Sequence, residues 1–83
     1  MRKKLVGLYV PAAQMHFDLL VPTELKIYVL TKLLVNGVAE MSEGRFVPSR
    51  KSMLTLRDPD ILLHPDRTLS QYNVSDGTQM ILF

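Results

Sequence analysis

The chain has 83 residues, with ten lysines and arginines against eight carboxylates, 47% apolar residues and no cysteine. This length predicts one small domain, residues 1–83, and the lack of cysteine excludes a disulfide scaffold and a cysteine-based zinc site. The formal net charge is only +2 and nearly half of the residues are apolar. Such a composition argues against disorder and against nucleic acid as a partner.

The apolar stretches of the sequence are too short for a membrane. Basic residues precede an apolar run that ends at Pro11, and this run is shorter than the apolar region of a signal peptide. Polar residues interrupt the stretch 27–38, which is also far below the ~20 residues of a bilayer span. We therefore expect a soluble, cytoplasmic protein that makes no direct membrane insertion.

The first quarter of the chain predicts a β-hairpin. Residues 5–10 and 15–21 are rich in strand formers, and the segment 11–14 interrupts them with a proline. Alternation along the two strands predicts that one set of side chains faces inward. This set comprises Val6, Leu8, Val10, Phe17, Leu19 and Val21.

One long helix is predicted to begin between Glu24 and Ile27 and to end near Met41. At about 100° per residue, one stripe of the helix faces the core. This stripe comprises Ile27, Leu30, Leu34, Val38 and Met41. Further apolar residues lie beside or opposite the stripe, so the helix is more apolar than one buried face requires.

The second half of the chain predicts three short strands, at 53–56, 61–63 and 80–83. A turn at 57–60 joins the first two, and the segment 68–73 predicts one helical turn. The order of elements fits a helix packed across one face of a mixed sheet of four to five strands. In that sheet the first strand is central and pairs with the last in parallel.

The C-terminal third resembles ubiquitin. The residues that carry the resemblance are Asp66-Arg67-Thr68-Leu69-Ser70-Gln71-Tyr72-Asn73-Val74, followed by Ser75-Asp76-Gly77 and an apolar strand. The resemblance implies an α+β, ubiquitin-like β-grasp fold. It also implies that Leu69 and Val74 are core residues and that the Tyr72 hydroxyl braces the loop backbone.

The N-terminal half resembles one branch of that superfamily. The residues that carry the resemblance are Phe17-Asp18-Leu19-Leu20-Val21-Pro22, Leu25-x-Ile27 and Leu30-x-x-Leu33-Leu34, together with the later signature Asp66-Arg67-Thr68-Leu69 and Val74-x-Asp76-Gly77. This pattern resembles the small YukD/EsaB proteins and the cytosolic ubiquitin-like domain of EccD. Both belong to the type VII (ESX, or WXG-type) secretion machinery of Gram-positive bacteria. The resemblance covers nearly the whole chain and is weakest at 43–52. It implies a non-enzymatic accessory or regulatory subunit whose partners are components of that machinery.

Two alternatives remain at this stage. Ubiquitin-like modifiers and sulfur carriers need a flexible tail that ends in Gly-Gly, whereas this sequence ends in Leu82-Phe83 within the predicted last strand. A modifier or sulfur carrier is therefore the disfavoured alternative. The other alternative is a β-grasp adaptor with no link to secretion.

The sequence contains no catalytic, metal-binding or cofactor-binding constellation. The two histidines, His16 and His64, are too far apart to place two ligands on one helix face. The glycines form no phosphate-binding loop, and Gly44 and Gly77 are expected at positive φ. Four basic residues surround the middle connection and predict a solvated loop rather than a binding site, although their role stays open. They are Arg45, Arg50, Lys51 and Arg57.

Two apolar surfaces are candidates for protein contacts. Ubiquitin binds partners through the outer face of its sheet, and the outward-facing apolar residues here predict a docking surface on that face. They are Tyr9, Leu20, Ile81 and Phe83. The rival surface is the helix flank, where self-association to a homodimer is expected. Its residues are Tyr28, Val29, Val35 and Ala39. A small sheet can also simply expose apolar residues, and the 43–52 loop can cover the flank.

Overall fold

The computed structural model of the chain describes residues 2–49 and 51–83. The elements are β1 (Lys3–Val10), β2 (Met15–Pro22), α1 (Ile27–Met41), β3 (Leu54–Leu56), β4 (Ile61–Leu62) and β5 (Gln79–Leu82). A 3₁₀ turn at Pro11–Ala13 follows β1, and a second at Leu69–Tyr72 precedes β5. No helix within the described ranges is long and apolar enough to cross a membrane.

The five strands form one mixed sheet in the order β2-β1-β5-β3-β4. β1 pairs with β2 antiparallel and with β5 parallel, while β3 pairs antiparallel with both β5 and β4. The predicted parallel pairing of the first strand with the last is confirmed; β1 is an interior strand as expected, and the middle position of the sheet belongs to β5. The helix packs on one face of this sheet, and the other face carries no element among the described residues.

The core lies between α1 and the inner face of the sheet. Its members from β1 and β5 are almost completely buried, and they include Leu8, Met80 and Leu82. Phe17 and Leu19 also face the core but are only partly buried, because β2 is an edge strand and has no neighbour on its outer side. The predicted inward facing of both hairpin strands is confirmed.

One predicted core residue is not in the core. Met41 is 48% exposed because it ends the helix, and the chain then turns through Glu43 and Gly44, both at positive φ. The turn brings Phe46 back against the core, where it is buried. Phe46 therefore closes the end of the core that the helical periodicity assigned to Met41.

The loop before β5 caps the beginning of α1. The helix has no side-chain cap, and the first N–H groups of a helix lack partners within it. The Ile27 N–H donates to the Arg67 carbonyl at 2.7 Å, and the Tyr28 N–H donates to the Pro65 carbonyl at 3.0 Å. The Lys26 ammonium adds a bond to the Asp66 carbonyl at 2.9 Å. Backbone carbonyls of the 65–67 segment thus take the role of an N-cap.

The same loop has the internal bonds that the ubiquitin resemblance implies. The Tyr72 hydroxyl accepts a hydrogen bond from the His64 N–H at 2.9 Å, and Thr68 and Gln71 form a capping box around the second 3₁₀ turn. Leu69 and Val74 are both buried. The implied core positions and the bracing role of Tyr72 are confirmed.

Replacement of Ser42 by alanine is expected to lower the free energy of unfolding by about 1–3 kcal/mol. The fully buried Ser42 hydroxyl accepts the Phe46 N–H at 3.0 Å and donates to the Ala39 carbonyl at 3.3 Å. Alanine leaves the Phe46 N–H buried without that partner. Urea denaturation measures the loss. Ser49→Ala is the matched control, because Ser49 accepts the Lys51 N–H in an exposed loop; a loss at Ser49 equal to that at Ser42 would contradict the argument.

Candidate protein-docking surface

The outer face of the sheet carries a row of side chains that crosses all five strands. Tyr9 of β1 pairs with His16 of β2 and with Ile81 of β5. Ile81 pairs in turn with Thr55 of β3, and Thr55 pairs with Leu62 of β4. Directly paired residues point to the same side of a sheet. This register therefore joins residues that are distant in the sequence.

The apolar members of this row extend toward the end of β5. Phe83 exchanges two backbone hydrogen bonds with Met53, at 2.9 and 3.1 Å, so the two side chains lie side by side on the outer face. Phe83 is 52% exposed, and Met53 and Leu62 are exposed to a similar extent. We call this group the outer patch; its residues are Tyr9, Met53, Leu62, Ile81 and Phe83.

Leu20 shares the outer face but lies apart from the outer patch. It is 65% exposed and pairs with Leu5, which is four residues from Tyr9 along β1 and hence about 13 Å away. A polar row formed by Asp18, Gly7 and Gln79 lies between them. The structure thus brings together three of the four predicted docking residues and separates the fourth.

The polar row is held close to the backbone. Gly7 has no side chain, and the Gln79 amide occupies the space where a Cβ on Gly7 would lie. The Gln79 Nε2 also donates to the Gly77 carbonyl at 3.2 Å. On the outer face, the polar row therefore separates the apolar pair of Leu5 and Leu20 from the outer patch.

A ring stack fixes one margin of the outer patch. The rings of Tyr9 and His16 stack with their centroids 4.4 Å apart and an interplanar angle of 22°. Tyr9 is half-buried because β1 has a neighbouring strand on each side, while His16 lies on the edge strand β2 and is exposed. The stack restricts the Tyr9 ring and so reduces the side-chain entropy that this ring would lose on binding a partner.

Sequence reasoning missed two residues of the outer patch, Met53 and Leu62. Met53 precedes β3, and its pairing with Phe83 depends on a contact between distant segments. Leu62 belongs to a strand of two residues, which is too short for alternation to define its outward side. The exposed side of both follows only once the register of β3 with β5 and β4 is known.

The predicted helix flank does not form a continuous exposed surface. Val35 is only 6% exposed, and Ala39 packs against the core. The reason is that the chain after α1 returns along this side of the helix, where Pro48, Ser49 and Ser52 line a groove together with Val35. The prediction that Val35 and Ala39 belong to an exposed self-association surface is therefore corrected. Tyr28 is exposed and Val29 half-buried, and self-association through these two stays a prediction.

The basic residues of the middle connection contact different parts of the fold. The Arg45 Nη2 lies 3.8 Å from the Met15 Sδ at the beginning of β2. The backbone N–H of Arg57 donates to the Gln79 carbonyl of β5, and the side chain of Lys51 is exposed in the loop. Arg50 lies outside the described residues. The contacts of Arg45 and of the Arg57 backbone thus lie in different parts of the fold.

The histidines have ordinary partners. Beyond the His16 stack, the His64 Nδ1 accepts a hydrogen bond from the Asp66 N–H at 3.1 Å. Within residues 2–49 and 51–83, no three histidine or acidic side chains lie close enough to hold a metal ion. The exposed apolar side chains of the outer face are accordingly the feature that we take as the candidate site.

Solved structures with the same arrangement are ubiquitin-like domains. The EccD5 ubiquitin-like domain from Mycobacterium xenopi has a TM-score of 0.81 and 19% identity, and the match covers 100% of this chain and 94% of that one. The ubiquitin-like domain of Plasmodium falciparum Dsk2 has a TM-score of 0.73 and 18% identity over 98% of this chain and 96% of that one. The chain has a ubiquitin-like fold.

A third similar structure is part of an assembly. One chain of the MycP5-free ESX-5 inner membrane complex matches this ubiquitin-like domain with a TM-score of 0.78 and 19% identity. The match covers 100% of this chain and 21% of that chain. No protein-family model matches the sequence, and no curated protein matches it either. At these identities the structural likeness shows the ubiquitin-like fold alone.

Proposed function

We propose that this ubiquitin-like domain is a non-enzymatic protein-interaction module, and that it serves in the bacterial cytoplasm as an accessory or regulatory subunit of a type VII secretion machine. The observation that carries the proposal is the outer patch, a set of large apolar side chains that the core does not use. The partner in this proposal is a larger component of the machine, such as its ATPase or a membrane subunit.

The chemistry of the outer patch favours a protein partner. Its five side chains are uncharged, so a partner can cover them without desolvating an ion. Aromatic residues carry a large share of the binding energy in protein interfaces, and the patch presents Tyr9 and Phe83. Apolar area removed from water contributes about 25 cal/mol per Å² before the costs of association.

The likeness to EccD domains supports the choice of machine. Domains of EccD5 and of a chain in the ESX-5 inner membrane complex have the fold of this chain along its whole length. The sequence resemblance to YukD/EsaB proteins, in the segment 17–34 and in the loop before β5, points to the same machinery. A ubiquitin-like domain that docks on such a complex needs no catalytic group.

Quantitative capture from the source bacterium tests this function. The tagged chain and its Phe83→Ser variant are expressed at equal levels, and their partners are compared by mass spectrometry under native conditions. The expected result is a secretion ATPase or membrane component that is enriched with the unaltered chain and depleted at least about tenfold with the variant. Recovery of no secretion component would contradict the proposal. A denaturing gel of the same lysate separates the alternatives, because covalent conjugates of the chain would indicate a modifier instead.

A further inference from the structure

A second surface of the molecule is concave. A groove of about 660 Å³ lies between one side of α1 and the segments that include Pro48 and Leu63. This volume is within the range of about 300–1,000 Å³ that is typical of ligand sites. The groove meets the outer patch only at the sheet edge, through Met53 and Leu62, and its walls are otherwise formed by different residues.

The floor of the groove is apolar and its walls carry hydrogen-bonding groups. The buried side chains of Val35, Leu54 and Leu63 form part of the floor. Tyr28 is exposed at the rim, while polar side chains from α1 and from the facing loop line the walls. These polar residues are Thr31, Asn36, Ser49 and Ser52.

The charge of the groove is positive along the residues that the structure describes. Among the described lining residues, Lys32 is the one charged side chain, and none is a carboxylate. Lys32 is exposed in the middle of α1, and a second exposed lysine, Lys51, directly precedes the wall residue Ser52. A carboxylate is the group that complements this positive rim.

We propose that this groove binds an extended segment of a partner protein, in which an apolar side chain enters the floor and an aspartate or glutamate carboxylate pairs with Lys32. The wall groups favour a peptide over a lipid, because hydroxyl and amide groups can bond to peptide N–H and C=O groups. An acyl chain would leave them without partners and so lose free energy. This proposal does not depend on the function proposed for the outer patch, because the groove shares only Met53 and Leu62 with that patch and not Tyr9, Ile81 or Phe83.

Selection from a phage-displayed library of random twelve-residue peptides tests the site. The full chain is the bait, enriched peptides are synthesised, and their Kd values are measured by fluorescence anisotropy. We expect enriched peptides to combine apolar residues with at least one acidic residue. The Lys32→Glu variant is expected to weaken their binding by about tenfold or more. The matched control Lys3→Glu reverses an exposed lysine on β1 and is expected to leave the Kd within about twofold.

A second pair of variants tests the apolar rim. Tyr28→Ala is expected to weaken binding of the same peptides by about tenfold. Alanine keeps the backbone hydrogen bond from residue 28 to the Pro65 carbonyl. The control is Leu33→Ala, which removes a similarly exposed side chain from the other side of α1. Backbone NMR shifts on titration are expected to move at Thr31, Val35 and Leu63.

Three results would overturn the proposal. The first is a selection that enriches no peptide, and the second is binding that Lys32→Glu leaves unchanged. The third is a set of shift changes at the groove that depends on the concentration of the chain alone, which would indicate a second copy as the occupant. Phe83→Ser is expected to bind the enriched peptides as the unaltered chain does. A failure of the groove to bind peptides would therefore not contradict the function proposed for the outer patch.

Discussion

Truncation of Leu69 to alanine is expected to lower the free energy of unfolding by about 2–5 kcal/mol, because the change leaves a cavity in a core that cannot fully collapse around it. Leu69 has 0% exposure and begins the 3₁₀ turn that follows the 65–67 segment. That segment caps α1 through the Ile27 and Tyr28 N–H groups. The lost contacts thus lie where the helix, the sheet and the capping loop meet.

Thermal and urea denaturation measure the effect of Leu69→Ala. In a domain of this size, each kcal/mol corresponds to a change in Tm of about 4–8 °C. The matched control is Leu33→Ala, in which the same chemical change falls on a side chain that is 55% exposed. We expect this control to change stability by less than about 0.5 kcal/mol. Equal losses at the two leucines would show that the assignment of Leu69 to the core is wrong.

Replacement of Phe83 by serine is expected to weaken binding of the secretion component by at least about tenfold, while stability falls by less than about 1 kcal/mol. The side chain of Phe83 is half exposed, and its two hydrogen bonds to Met53 are made by backbone atoms that serine retains. The variant therefore removes an aromatic contact from the outer patch and leaves the sheet paired. Calorimetric titration with the captured component gives the Kd, and urea denaturation gives the stability.

Leu20→Ser is the matched control for Phe83→Ser. Leu20 lies on the same face as Phe83 and is at least as exposed, but the polar row of Asp18, Gly7 and Gln79 separates it from the outer patch. We expect Leu20→Ser to weaken binding by less than about threefold. A loss as large as that of Phe83→Ser would show that the partner covers the whole face rather than the outer patch alone.

Much of the fold could be predicted because its signals are local. Alternation defines the inner face of the hairpin, and the spacing of apolar residues defines the extent of α1. The ubiquitin-like loop places Leu69 in the core and gives the Tyr72 hydroxyl a backbone partner. The strand and helix features depend on residues that are close in sequence, so the pattern alone carries the information. The positions of Leu69 and Tyr72 are implied by the resemblance of the loop to ubiquitin.

The features that could not be predicted depend on contacts between distant segments. Helical periodicity assigns Met41 to the core, but the path of the following turn gives that place to Phe46. The burial of Val35 likewise depends on where the chain runs after residue 46. The composition of the outer patch depends on the register of β3 with β5, which puts Met53 beside Phe83. Neither a loop path nor a register between distant strands is defined by one stretch of sequence.

Site-specific photocrosslinking in the source organism tests whether the outer patch docks on a type VII secretion component, as we propose. A photoreactive phenylalanine analogue replaces Phe83 in one strain and the similarly exposed Leu33 on α1 in another. We expect a secretion ATPase or membrane subunit to be crosslinked from position 83 and at a much lower yield from position 33. Equal yields from the two positions, or products from position 83 that contain no secretion component, would contradict the proposal.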